Sequence, residues 1–331
     1  MSYEREKQIA LEAVSRAAQL CGLVRQEMVV DSLEKGDKSP VTVADFGSQA
    51  LVCQHLKANF PDDPIVGEED SSDLQASAEK LAQVTDYIRR FQPEATAAEV
   101  CAWIDAGNGT VAQRYWTLDP IDGTKGFLRN DQYAIALALI EAGEIKVAAL
   151  ACPALPVSFT DPNSEIGTVF VAVQDEGAVM APLGDSTFVP ISVASETATA
   201  QARFVESVES GHGDHALQDS VAKAVGIQHD SLRMDSQAKY GAVARGDATL
   251  YLRLPSPKSP DYREKIWDHA AGALIVKEAG GRVTDMYGKP LDFASDFKMH
   301  NNQGVVASNG VIHLSAIEVL AIGSGGQVNT T

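Results

Sequence analysis

The sequence is poor in basic residues. Lysine and arginine together number 27, against 45 aspartates and glutamates in 331 residues, which gives a formal net charge of -18. Nucleic acid polymers and anionic membranes are bound by basic patches, so this composition disfavours both as partners. If the substrate is an anion, a divalent metal or a few local lysines and arginines must reverse the protein's own field near the site.

Cysteine and long apolar runs are scarce as well. The cysteines form no C-x-x-C pair and no Cys/His zinc pattern, so we predict buried free thiols at Cys21, Cys53, Cys101 and Cys152. About 18 uninterrupted apolar residues would be needed to span a bilayer, and no such run occurs. The N-terminus is charged and has no apolar signal segment. These absences predict an intracellular, reducing location, in the cytoplasm or the nucleus.

Three common catalytic signatures are missing too. The sequence has no G-x-G-x-x-G after a strand, no G-x-x-x-x-G-K-[ST] and no G-x-S-x-G. Their absence disfavours a Rossmann oxidoreductase, a P-loop NTPase and a serine hydrolase. What the sequence does have is enough apolar material for a large core, with 45% hydrophobic residues. Its length predicts two lobes with a cleft between them.

The spacing of apolar residues predicts a mixed α/β protein. Helical spacing covers residues 4–28, 42–61, 77–91, 96–104, 215–225, 237–245, 265–279 and 311–320. Strand patterns cover residues 65–66, 115–118, 133–140, 145–151, 168–173, 178–180, 203–207 and 249–254. Asp45 would lie in the first turn of the second helix. A proline-rich stretch near residue 156 predicts a boundary between an N-terminal α+β lobe, residues 1–158, and a C-terminal α/β lobe, residues 159–331.

The most informative stretch is W-T-L-D-P-I-D-G-T-K-G-F, residues 116–127. Pro120 has its φ fixed at about -65° and biases the preceding Asp119 toward an extended conformation. Asp119 and Asp122 can therefore converge, with the carbonyl of Ile121 between them. Carboxylate and carbonyl oxygens are the ligands that Mg²⁺ prefers. An Asp-rich turn without a ligand is the alternative interpretation of this stretch alone.

Neighbouring residues and two further acidic elements favour a site over a simple turn. The backbone at Gly123 and Thr124 could hold a phosphate, especially if it opens a helix. Glu68 and Glu69 follow the buried-looking strand at residues 65–66, and Asp268 precedes an apolar helical pattern. Unpaired buried carboxylates would cost several kcal/mol each, and a metal cluster compensates that cost.

Asp45, G-E-E at 67–69, D-P-I-D-G-T at 119–124 and W-D-H-A-A-G at 267–272 together resemble the inositol monophosphatase superfamily, in order and in spacing. The resemblance implies a layered α/β fold, with alternating αβαβα layers in two lobes. Lys125-Gly126 and the stretches V-E-S-V-E-S-G-H and M-D-S-Q-A-K-Y resemble its 3'(2'),5'-bisphosphate nucleotidase branch, especially the fungal and plant members. The segment 255–263 is slightly longer than this resemblance leads us to expect.

The resemblance implies roles for individual residues. Two or three Mg²⁺ ions would be held by Glu68, Glu69, Asp119, the Ile121 carbonyl, Asp122 and Asp268. Asp45 and Thr124 would orient and deprotonate the attacking water. Substrate contacts would come from Gly123, Thr124, His212, Ser236, Lys239, Arg253 and Asp268. Taken singly, Lys239 and Arg253 would more often be surface cations, and His212 and His269 structural residues; His269 is not included in the predicted site.

The implied activity is Mg²⁺-dependent hydrolysis of the 3'-phosphate of adenosine 3',5'-bisphosphate to AMP and phosphate, with 3'-phosphoadenylyl sulfate as a second substrate. Lithium sensitivity is implied as well, and we expect a monomer whose partner is a small-molecule nucleotide. An inositol phosphate phosphatase with the same metal site is the alternative enzyme. A catalytically inactive nucleotide sensor is a third hypothesis, but it would require loss of a metal ligand or of Thr124, and all of these residues are present.

Overall fold

A computed structural model describes residues 2–29, 39–195, 202–208, 215–256, 258–259 and 261–324. Its α-helices are α1 Glu4–Val24, α2 Ser39–Asn59, α3 Ser72–Gln75, α4 Ala78–Arg89, α5 Ala97–Asp105, α6 Thr124–Leu128, α7 His215–Ala224, α8 Ala238–Ala244, α9 Ala270–Glu278 and α10 His313–Ser324. Its strands are β1 Ile65–Gly67, β2 Arg114–Asp122, β3 Ala134–Glu141, β4 Glu144–Pro156, β5 Ile166–Val173, β6 Gly177–Pro182, β7 Val189–Pro190, β8 Phe204–Glu206, β9 Leu232–Arg233, β10 Leu250–Arg253, β11 Arg282–Thr284 and β12 Val305–Ser308.

The first two helices cover one face of the first sheet. Helix α1 buries an apolar stripe at helical spacing, consisting of Ala10, Ala13, Val14, Ala17, Leu20, Cys21 and Val24. One π-helical turn, Arg25–Val29, continues it, which confirms the helix predicted over residues 4–28. Helix α2 begins at Ser39, so the placement of Asp45 in its first turn was wrong: Asp45 lies one turn further in. The second residue of α2 is Pro40, which is tolerated there because the first N–H groups of a helix have no partner within the helix.

The first sheet has the order β1-β2-β3-β4-β5-β6-β7 in the described part of the chain. Only the β1/β2 pair is parallel, and the other neighbours are antiparallel. The strands predicted over residues 133–140 and 145–151 are confirmed by β3 and β4, which pair as a hairpin whose turn places Ala142 at φ 54° and Gly143 at φ 78°. These two positive φ angles suit the right-handed twist of the paired strands.

The second sheet has the order β11-β12-β10-β8-β9. Helices α8 and α9 lie between the two sheets, and α7 and α10 pack on the outer face of the second. Together with α1 and α2, the elements form αβαβα layers, as the resemblance implies. The predicted lobe boundary at 158/159 falls between β4 and β5, inside the first sheet; the sheets themselves change between Pro190 and Phe204. The division into two lobes stays a prediction.

Two expectations about the whole chain can be compared with this fold. The four cysteines are buried and unpaired, as predicted. Within the described ranges, no helix is both long enough and apolar enough to cross a lipid bilayer.

Candidate active site

The acidic residues of the first half meet where β1 and β2 end. The two strands are parallel, with Gly67 beside Leu118, so the residues that follow each strand emerge at the same edge of the sheet. Glu68 therefore comes next to Asp119. The pairing of β2 with β3 is irregular between Asp119 and Asp122, where Pro120 has no N–H to donate. The irregularity lies between the two carboxylates, since Asp119 still pairs with Ala136 and Asp122 with Ala134.

Helix α2 brings Asp45 to the same edge. One turn after Asp45, the hydroxyl of Ser48 donates a 2.9 Å hydrogen bond to the carbonyl of Pro120, which ties the helix to the irregular end of β2. Gln49, buried beside it, accepts a 3.1 Å hydrogen bond from the N–H of Glu69 and donates to the carbonyl of the same residue. These bonds hold the G-E-E segment in place without using any carboxylate.

The carboxylates repel one another strongly enough to shift their pKa values. Burial raises the pKa of Asp119 well above its ordinary value, and the nearby Glu68 and Asp122 raise it further. Burial and the charges of Glu69 and Glu68 likewise raise the pKa of Asp45 well above its ordinary value. Glu68 is exposed, yet partial loss of hydration and the charges of Glu69 and Asp122 raise its pKa to about 7. Burial and like charge therefore dominate the electrostatics of Asp119, Asp45 and Glu68.

This cluster fits a divalent metal. One oxygen of Asp119, Oδ1, is buried and has no hydrogen-bond partner in the described structure. A buried carboxylate oxygen without a donor is costly unless a cation faces it. Asp268, from the other half of the chain, also contributes to the charge around Asp119, and its own pKa is raised to about 7, chiefly by burial. Such an all-oxygen donor set is the one that Mg²⁺ prefers.

Glycines allow the turn after β2 to pass close to the second half of the chain. Gly123 has φ 86° and ψ 44°, a left-handed conformation, and caps the short helix α6 that begins at Thr124. A Cβ at Gly123 would lie 2.9 Å from the Cβ of Ser236, and one at Gly126 would lie 2.1 Å from the carbonyl oxygen of Gln132. Both positions therefore require glycine for this approach.

Cations from the second half face the acidic cluster. Lys239 on α8 is buried, and burial lowers its pKa to about 8 against the opposing effect of Asp122. Arg253 ends β10. Both side chains line a cleft of about 200 Å³ together with Thr124, Ser236 and Asp268. The cleft is thus lined by both carboxylates and cations.

The structure brings nearly all of the predicted site residues together. Those lining the cleft are Asp122, Gly123, Thr124, Ser236, Lys239, Arg253 and Asp268. Electrostatic repulsion connects these residues with four further carboxylates, namely Glu68, Glu69, Asp119 and Asp45. Ile121 lies buried within the D-P-I-D turn. Asp268 precedes α9 rather than lying in it, because the helix begins at Ala270. His212 lies outside the described residues.

Two buried residues of the cleft were missed in the sequence. Glu264 accepts a 3.1 Å hydrogen bond from Nε of Arg253, and its other oxygen lies 3.3 Å from Nε2 of His269. Burial alone would raise the pKa of Glu264, but His269 and Arg253 outweigh burial and lower the pKa to about 2. Atoms of Glu264, Asp268 and His269 all lie within 4.8 Å of one another. The available signal was a glutamate before Asp268 and a histidine after it, in R-E-K-I-W-D-H at residues 263–269.

The chain is similar to known proteins over nearly its whole length. The model of the inositol monophosphatase family matches residues 3–321. The chain is 44% identical over 341 residues to the 3'(2'),5'-bisphosphate nucleotidase of Schizosaccharomyces pombe, covering 97% of this chain and 96% of that protein. It is 43% identical over 348 residues to the nucleotidase of the same name from Emericella nidulans, covering 97% of this chain and 98% of that protein.

Solved structures show the same fold at lower identity. An inositol monophosphatase from Anabaena superposes with a TM-score of 0.64 at 20% identity, covering 97% of each chain. CysQ from Bacteroides thetaiotaomicron, a bacterial member of the same family, gives a TM-score of 0.61 at 19% identity, covering 93% of this chain and 98% of that one. The motifs, the layered fold and the family match agree, and the chain belongs to the inositol monophosphatase family.

Proposed function

We propose that this protein hydrolyses the 3'-phosphate of adenosine 3',5'-bisphosphate to AMP and inorganic phosphate, with Mg²⁺ as its cofactor. The observation that carries the proposal is that one cleft is lined both by carboxylates, Asp122 and Asp268, and by cations, Lys239 and Arg253. A substrate with two phosphates matches this lining, because one phosphate can meet metal held by the carboxylates and the other can meet the cations. The names of the fungal relatives support the same substrate class.

The acidic residues in and next to the cleft are the proposed metal site. One Mg²⁺ would be held by Glu68, Asp119 and the Ile121 carbonyl. A second would be held by Asp119, Asp122 and Asp268, and a third would lie near Asp45 and Glu69. The partnerless oxygen of Asp119 and the raised pKa values of its neighbours support this assignment. Bound Mg²⁺ would neutralise phosphate oxygens and increase the acidity of water in the site.

The chain's own residues would direct the attack. Asp45 and Thr124 are proposed to orient a water molecule and to accept its proton. Asp45 suits this role because burial and repulsion raise its pKa, so its carboxylate holds a proton more readily than a solvated one. The water oxygen bonds to phosphorus, the bond from phosphorus to the 3'-oxygen breaks, and the 3'-oxygen takes up a proton.

The two cations Lys239 and Arg253 belong to the proposed nucleotide site. Arg253 and Lys239 would bind the 5'-phosphate, Arg253 through its planar set of N–H donors. Ser236 and Asp268 would contact the nucleotide in the same cleft, and His212 stays a prediction. The second substrate, 3'-phosphoadenylyl sulfate, carries the same 3'-phosphate and a charged group at its 5' end.

Phosphate release tests the proposal. Wild type and Asp119→Ala would be assayed with adenosine 3',5'-bisphosphate and with inositol 1-phosphate, each with and without Mg²⁺. Asp86→Ala is the control, since that carboxylate is exposed on α4. We expect Mg²⁺-dependent release from the bisphosphate that only Asp119→Ala abolishes. Faster release from inositol 1-phosphate would favour an inositol phosphate phosphatase instead, and a folded, nucleotide-binding protein with no release from either would indicate a sensor.

A further inference from the structure

A chain of hydrogen bonds ends at Arg253. The hydroxyl of Tyr240 lies 2.8 Å from Nδ1 of His269, Nε2 of His269 lies 3.3 Å from one oxygen of Glu264, and Nε of Arg253 donates to the other oxygen at 3.1 Å. Tyr240, His269 and Glu264 are 0%, 2% and 7% exposed. The chain therefore runs from the interior, between the two sheets, to Arg253 in the cleft.

The bond to Nε constrains the guanidinium in a specific way. Arginine has five N–H donors in a fixed plane, and Nε is the one nearest the aliphatic stem. A carboxylate that holds Nε fixes the orientation of that plane, and with it the directions in which the terminal nitrogens can donate. In this protein Glu264 holds Nε of Arg253, and both residues line the cleft. Tyr262 also contacts Arg253 at the cleft.

Charge supports the same role. Arg253 and Lys239 repel each other, as the effect of Arg253 on the pKa of Lys239 shows. Glu264 supplies negative charge beside Arg253, and Asp122 supplies it beside Lys239, so the two cations can stay together in a buried setting. His269 and Tyr240 then fix the carboxylate from the other side, so that it does not turn toward the metal site beside Asp268.

We infer that Glu264 is a positioning residue for substrate recognition: it orients Arg253 toward the distal phosphate of the substrate, and His269 and Tyr240 hold it there. The inference rests on the proposed function and goes beyond it, because it assigns discrimination between a bisphosphate and a monophosphate to a residue that does not touch the substrate. Its loss should weaken recognition of the 5'-phosphate and leave the hydrolytic step intact.

The experiment compares two substrates that differ by the 5'-phosphate. For wild type and Glu264→Gln, kcat and KM would be measured with adenosine 3',5'-bisphosphate and with adenosine 3'-monophosphate. Because one charge-assisted bond to Arg253 is weakened, we expect kcat/KM for the bisphosphate to fall about 10-fold, mainly through KM, and that for the monophosphate to change less than about 3-fold. Tyr240→Phe, which removes only the hydroxyl that meets His269, should shift the ratio in the same direction by a smaller factor.

Glu206→Gln is a matched control. Glu206 accepts a 3.0 Å bond from Nε of Arg233, and its side chain is 3% exposed, against 3.1 Å and 8% for Glu264. Glu206 does not line the cleft. Its variant should lose an ion pair of similar length, although Arg233 is 66% exposed against 22% for Arg253, while keeping the wild-type substrate ratio.

The outcomes separate the inference from the proposed function. A wild-type protein that does not release phosphate from the bisphosphate would contradict the function itself. If the wild type is active and folded Glu264→Gln keeps the wild-type substrate ratio, the inference is overturned. It is also overturned if Glu264→Gln needs more Mg²⁺ at unchanged KM, because Glu264 and His269 would then be metal donors. If Glu264→Gln does not fold, an unchanged ratio in Tyr240→Phe overturns it.

Discussion

The backbone N–H of Gln237 donates a 2.6 Å hydrogen bond to Oδ2 of Asp122, a residue 115 positions earlier in the chain. The side chain of Gln237 donates to the carbonyl of Trp267 at 2.9 Å and accepts from the N–H of Gly272 at 3.2 Å. One residue thus fixes the end of β2 relative to the segment that carries Asp268. The spacing of two proposed metal ligands depends on it.

Gln237→Glu should therefore impair both stability and activity. The carboxylate keeps the acceptor for Gly272 but has no donor for Trp267, and it adds a buried negative charge. We expect the free energy of unfolding to fall by about 2 kcal/mol, measured by urea denaturation. The Mg²⁺ concentration for half-maximal activity should rise as well. Gln113→Glu, at an exposed position, is the control; equal effects in both variants would contradict this reasoning.

Gly123→Ala should reduce activity far more than a matched glycine substitution. Gly123 and Gly177 have φ angles of 86° and 87°, but a Cβ at Gly177 has no atom within 4 Å, whereas one at Gly123 meets Ser236. Both variants lose about 1 kcal/mol from the left-handed backbone. Only Gly123→Ala should also displace Ser236 and raise KM for the bisphosphate. Similar kinetics in the two variants would show that the close approach is unimportant.

Removal of Mg²⁺ should have a pH-dependent effect on stability. The pKa values of Glu68 and Asp268 are raised from ordinary values of 4.5 and 3.8 to about 7. Between those limits the folded protein binds more protons than the unfolded chain, so the metal-free protein loses stability as pH rises toward 7. Bound Mg²⁺ opposes that loss. We expect Mg²⁺ to raise the Tm more at pH 8 than at pH 5.5, measured against EDTA, and Asp119→Asn to reduce the difference.

His313 should contribute to acid sensitivity through a different mechanism. It is fully buried between the hydroxyls of Thr284 and Ser308, each at 2.9 Å, and burial lowers its pKa from 6.5 to about 4. The unfolded chain then binds the extra proton first, so stability falls as pH drops through this window. The loss attributable to this group between pH 7 and pH 5 should be about 2 kcal/mol. In His313→Gln this part of the pH dependence should disappear; an unchanged slope would exclude His313.

The sequence was sufficient for the parts of the site that depend on local order. The D-P-I-D-G-T stretch predicts that Asp119 and Asp122 converge, because proline acts on its immediate neighbours. The strand predicted over residues 115–118 nevertheless continues through Asp122. The roles of Gln237 and Glu264 were not predictable in the same way. Gln237 acts through Asp122 and Gly272, and Glu264 through Arg253, so each depends on tertiary contacts that no local pattern encodes.

Short edge elements were missed for a related reason. Strand β9 has two residues and β11 has three, too few to show an alternating pattern, and both form because a neighbouring strand supplies hydrogen-bond partners. The start of α2 was placed three residues late because the Thr42 to Asp45 spacing was taken as a helix N-terminus. That spacing lies inside the helix, where Asp45 instead faces Glu68 and Glu69.

The burial of the cysteines has a practical consequence for optical experiments. Burial raises the pKa of each thiol, so the reactive thiolate is scarce at neutral pH and reagents have little access to it. A single cysteine introduced on the surface should therefore take up a maleimide fluorophore selectively in the native protein. Pairs of such positions would allow distances across the cleft to be followed by energy transfer, without first replacing Cys21, Cys53, Cys101 or Cys152.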